Sequence, residues 1–146
     1  MKRTWMLCGA ALLTAACSGV TRRVEDGKVG AVIDQRPVTG GYIEAIGIGA
    51  SDPALPTETQ RKALARDAAI AKAQYELLSL VKGVTLEGGV SVERAIETDS
   101  VLATRLRETL RGAEVLKSEF TADNGCVVTM RLPKDRLRRM MGVRFQ

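Results

Sequence analysis

Tyr42-Ile43-Glu44-Ala45-Ile46-Gly47-Ile48-Gly49 alternates in steps of two, with Tyr42, Ile46 and Ile48 on one side and Ala45, Gly47 and Gly49 on the other. The period predicts a strand. The small side predicts what covers it, because only a closely packed element fills the room left by two missing Cβ atoms. A helix fits, and one follows. Pro53 and Pro56 bracket a turn, Thr57 and Gln60 form a capping box, and apolar residues recur at helical spacing as far as Val81-Lys82. Gly83 is the expected stop, in the left-handed conformation. Leu64, Ala68, Ala71, Tyr75 and Leu78 fall together on this helix, and Ala63, Ile70, Leu77 and Val81 widen the arc to roughly half the circumference. So wide an arc predicts two contacts, the sheet on one side and the N-terminal segment or another copy of the chain on the other. Those five are therefore candidate interaction residues; the alternative is a helix sunk deep in its own small domain. Asp67 falls inside the arc. A carboxylate buried alone is costly, so Asp67 is expected to have a partner, either an Arg or a backbone N–H. A catalytic role would need a second group.

Downstream, Val84-Thr85-Leu86, Gly88-Gly89 and Val90-Ser91-Val92 read as a second strand bent at the glycine pair. Leu102, Leu106 and Leu110 recur every four residues between an Asp99/Ser100 cap and Gly112, which predicts a second helix. Glu114–Thr121 and Cys126–Leu132 flank Asp123-Asn124-Gly125 as a hairpin, with Cys126, Val128, Met130 and Leu132 on one face. Pro133 ends that strand. Lys134–Met141 then reads as a short basic helix whose Leu137, Met140 and Met141 pack back. The fold class is α+β: a small antiparallel sheet packed on one long helix, in the order strand, helix, strand, helix, hairpin, with a short helix at the C-terminus. Gly47-Ile48-Gly49 lacks the third glycine of a dinucleotide loop and is not followed by Gly-Lys-Ser/Thr, so no nucleotide site is expected.

Composition removes whole chemistries. Among 146 residues there is no His, so neither a Ser-His-Asp nor a Cys-His nucleophile nor a His-ligated zinc can be built. At 45% hydrophobic and 27% charged residues the chain is ordinary for a globular protein. No cofactor, metal or catalytic residue is expected.

At the N-terminus Lys2 and Arg3 precede an apolar stretch, Trp5–Ala16, that ends in small residues before Cys17. It is shorter than the about 20 residues that span a bilayer. Leu13-Thr14-Ala15-Ala16-Cys17 resembles a bacterial lipobox, which implies cleavage before Cys17 and lipidation of that residue. Thr14 departs from the pattern, since the usual aliphatic residue stands three before the cysteine. An ordinary secretory signal cut nearby or an unprocessed segment are the other readings. Ser18 stands where an aspartate would favour inner-membrane retention, so the expected location is the outer membrane, facing the periplasm. The division is 1–16 leader, 17–40 lipidated cysteine and flexible tether, 41–146 a single domain. Ser18–Gly40 is polar and Gly-punctuated, with a candidate short strand at Lys28–Ile33, and its 23 residues reach roughly 75–80 Å when extended.

Export also changes the meaning of the charge. The pI of 9.4 and the tail Lys134, Arg136, Arg138, Arg139 and Arg144 would suggest nucleic acid, which an exported protein does not meet. Removing Lys2 and Arg3 with the leader takes 22 basic residues to 20 against 17 acidic, a mild excess. Lys134, Arg138 and Arg139 are either a solvated helix face or a contact for anionic headgroups or an acidic partner. Cys8 leaves with the leader, and Cys126 then has no internal disulfide partner. It is either a buried inert thiol or the site of an intermolecular bridge.

With these elements in this order, the chain resembles a family of small bacterial outer-membrane lipoproteins typified by a twenty-kilodalton member, whose domain is shared with the flagellar proteins FlgP and FlgT. Gly47-Ile48-Gly49, Arg66-Asp67-Ala68, Leu77 to Val81-Lys82-Gly83-Val84, and Leu110-Arg111-Gly112-Ala113 carry the likeness. It implies an SHS2-like domain, a non-enzymatic envelope role and, in FlgP-type members, rings around the flagellar motor. Its partners would be the membrane through Cys17 and either further copies or other envelope proteins. The competing functions are a small-ligand or lipid-binding lipoprotein using the basic tail and sheet face, and a carboxylate hydrolase built around Asp67.

Overall fold

The protein is described by a computed structural model covering residues 23–30, 38–86 and 88–142. The leader, Cys8, Cys17, Arg144 and the Ala31–Ile33 part of the candidate strand lie outside the described residues.

The small face of β4 (Tyr42–Gly49) meets α1 (Glu58–Lys82) as the glycine pattern predicts. A Cβ on Gly47 would collide with the Ala69 carbonyl oxygen, and one on Gly49 with that of Ala65. The helix backbone therefore lies directly on the strand, and alanine is the side chain that fits between them. Ala65, Ala69, Ala73, Leu77 and Val81 form the buried row. Thr57 starts α1 as expected, its hydroxyl accepting from the Gln60 N–H while the Gln60 side chain accepts from the Thr57 N–H. Gly83 ends it differently from the expectation. Its φ is −72°, with its N–H donated to Ser79, because a turn of right-handed backbone leads straight into Val84.

Beside β4 lies β6 (Cys126–Pro133), antiparallel, with Tyr42 opposite Pro133 and Gly49 opposite Cys126. β5 (Glu114–Phe120) completes the predicted hairpin, and Leu116 is an extra residue in its register between Val115 and Lys117. With the two-residue β3 (Val38–Thr39), the four-stranded sheet runs β3-β4-β6-β5. Cys126, Val128, Met130 and Leu132 face the helical layer and join one core with the α1 row, Leu106 and Leu137.

The expected second strand is reduced to a single bridge, Thr85 with Ser91. Gly88 and Gly89, at φ of 106° and 80°, fold the segment into a tight turn. The Ser91 hydroxyl then accepts from the Arg94 N–H and starts a helix, α2 (Val92–Thr98), that the sequence reading missed. α3 (Ser100–Arg111) follows, capped by the Asp99 carboxylate on the N–H groups of Val101 and Leu102 and closed by Gly112 as predicted. α4 (Lys134–Met141) buries Leu137 and Met141 against this layer but leaves Met140 exposed.

The opposite face of the sheet carries a feature assigned by sequence to the tether. β1 (Val24–Glu25) and β2 (Lys28–Val29) form a two-stranded hairpin around Asp26-Gly27, both at positive φ. This strap lies over Ile46 and Val127, with Val24 only 9% exposed. No helix among the described residues is long and apolar enough to cross a membrane.

Candidate interaction surfaces

Three surfaces use side chains that packing does not need. The first is the back of α1. Its buried row lies half a turn away from the expected stripe, so Leu64 and Tyr75 are 46% and 64% exposed, Ala68 and Ala71 are exposed, and only Leu78 is drawn half under the core. Leu77 and Val81, at the margin of the expected arc, are buried, but its centre falls on the wrong side of the helix, because long apolar side chains outweigh alanines in any periodicity while the glycines of β4 accept only alanines. The alternative of a helix sunk in its own domain fails for the same reason. Asp67 shares this open side and is exposed, so it needs no buried partner. Lys72 closes one border of the stripe, bonded to Glu76 at 2.8 Å with its ammonium 5.1 Å over the Tyr75 ring.

The second surface is the basic C-terminal helix, and its cations divide into two kinds. Arg136 serves the fold: its guanidinium donates to the Gly112 carbonyl oxygen and closes the C-terminal end of α3. Lys134 is half-buried, its backbone N–H donated to Gly41 at 2.8 Å. Arg138 is exposed and bound to Asp135 of its own helix at 3.1 Å, and Arg139 is exposed. Of the three expected contact residues, Arg138 and Arg139 are thus the exposed ones.

The third is the junction of strap and sheet, which the sequence reading missed. Glu119, on the outer face of β5, accepts from the N–H of Arg23 at 2.8 Å and of Val24 at 3.4 Å, and binds the Lys117 ammonium at 3.1 Å. Burial pushes its carboxyl up, but those two N–H groups and Lys117 together hold it below the ordinary carboxylate range. The Ala122 N–H donates to the Gly27 carbonyl at 2.8 Å and fixes the far end of the strap. Asp26-Gly27 between Val24 and Val29 is the hairpin signal that would have revealed it.

The Cys126 thiol is fully buried, and burial pushes its pKa up, with Arg66 pulling weakly the other way. An intermolecular bridge there would require unfolding. A shallow groove lined by Thr85, Gly89, Val90, Ser91, Arg94 and Thr98 presents one guanidinium and no carboxylate. Among the described residues no three His, Cys, Asp or Glu side chains converge as a metal site would need. Comparison with known proteins finds no matching family model, no matching characterised protein and no matching solved structure.

Proposed function

We propose that this chain is a lipid-anchored lipoprotein of the outer membrane, facing the periplasm, that works as a structural or protein-interaction module. The observation that carries the module is the back of α1. Leu64, Ala68, Ala71 and Tyr75 form an apolar stripe about three turns long on a helix whose other side is already fully packed. Cys17 after the apolar leader supports the anchor. Oligomers or rings of the flagellar-accessory kind are one form that such contacts would take.

The test uses the acylated protein extracted in mild detergent. Association measured by sedimentation is expected for the natural sequence and lost in Leu64→Asp/Tyr75→Asp, with the melting transition unchanged. A monomer that crosslinks to nothing in intact envelopes would overturn the module. Cys17→Ala should abolish both the acyl mass and membrane fractionation; if fractionation persists, the anchor is wrong. The ligand-binding alternative is less well supported, because the strap covers the sheet face at Ile46 and Val127.

A further inference from the structure

The strap is the first described part of the chain between residue 17 and the folded body. Glu119 holds the N–H groups of Arg23 and Val24, Val24 packs with Ile46, Val127 and Val29, and Ala122 holds Gly27. Arg23 is thereby fastened to the outer face of the sheet. Six peptide steps separate it from Cys17, and six steps span at most about 20 Å. With residues 18–40 free, the same connection would reach roughly 75–80 Å.

Layering then sets direction. The strap covers one face of the sheet, α1 lies on the other, and the stripe of Leu64, Ala68, Ala71 and Tyr75 is on the far side of α1. From the β5 margin, where Glu119 holds Arg23, a leash would have to round the sheet edge, cross two strand spacings of about 4.8 Å to reach α1 over β4, and pass a helix about 10 Å across, which exhausts its roughly 20 Å.

We infer that the strap is a latch on the anchor: docked, it holds the domain close to the leaflet with the outer sheet face toward lipid and the α1 stripe turned away, toward protein partners; released, it frees the long leash. The latch needs no lipid to form, but its use as an anchor spacer rests on the lipidation of Cys17 proposed above.

The experiment uses full-length acylated protein in phosphatidylethanolamine/phosphatidylglycerol vesicles with a headgroup-bound quencher. A fluorophore is placed on Lys28→Cys, in the strap, or on Ala68→Cys, on the back of α1; the buried Cys126 does not compete for label. Quenching is expected to be several-fold stronger at 28 than at 68, and tryptic cleavage after Arg23 and Lys28, followed in the Ala68→Cys protein that keeps Lys28, to be slow. Adding Glu119→Ala should bring the two reporters within two-fold of each other and speed both cleavages about ten-fold. Val24→Asp, which breaks the apolar contact instead, should act the same way, with an unchanged melting transition in each case showing that the body stays folded. Equal quenching at 28 and 68 in vesicle-bound protein, or cleavage indifferent to both variants, would overturn the latch. Protein without an acyl mass that stays off the vesicles would overturn the anchor role and the lipidation together, while protection of Arg23 in that soluble protein would still report the docked strap.

Discussion

At Gly47 and Gly49 one methyl group decides whether the helix can lie on the sheet. The atoms an added Cβ would strike belong to the backbone of α1 and cannot swing aside, so the helix as a whole would have to lift. Gly47→Ala is expected to cost about 3 kcal/mol or more, at the upper end of overpacking effects. Gly41→Ala, where nothing lies within 4 Å, should stay within about 0.5 kcal/mol. Urea midpoints compare the two. Thr57→Ala removes one half of the capping box and should cost about 1 kcal/mol. Glu119 gives the molecule an acid limit. Because its carboxyl is held below 4.5 in the folded chain, its contribution is present above the unfolded pKa and is lost as pH falls through the folded one. Amide exchange at Arg23 and Val24 should therefore accelerate below about pH 4.5, in line with that linkage, and Glu119→Gln should flatten the dependence. Cys126 should resist alkylation at pH 8 until urea unfolds the chain, as a buried thiol does.

The helix α1 shows where reading by element succeeds and where it stops. Its start, its length and its seat on β4 follow from Thr57, Gln60 and the glycine pair, all local signals. The face it buries does not follow from periodicity, since Ala65, Ala69 and Ala73 weigh less than Leu64 and Tyr75 in any hydrophobic sum. Only the shape of the opposing strand selects them. The two faces should separate in stability measurements: Leu77→Ala is expected to cost about 2–5 kcal/mol, and Tyr75→Ala less than about 0.5 kcal/mol. α2 escaped notice because Val90-Ser91-Val92 has strand composition, and the Ser91 cap on Arg94 overrides it. Of the strap only the second strand was anticipated, as the Lys28–Val29 start of the candidate strand; its hairpin partner escaped notice because a polar, Gly-punctuated stretch suggests a linker, although Asp26-Gly27 is as strong a turn signal as Asn124-Gly125.

Taken whole, the molecule is asymmetric across its thickness, with helices on one side of the sheet and the strap on the other. The expected 23-residue tether is thus partly structure, and reach estimates that treat residues 18–40 as free chain are too long while the strap is docked. Neither the side of the sheet that the strap covers nor its bond to Glu119 was legible beforehand, because these contacts join residues 95 and 96 positions apart in the chain.

The two margins of the sheet carry a consequence of their own. β3 is only two residues long, and β5 is kinked at Leu116 with the Lys117 ammonium one residue on. Short, bulged or cationic borders are poor templates for adding another strand. Copies brought together at high density would therefore find the β5 border a poor place to add strand to strand.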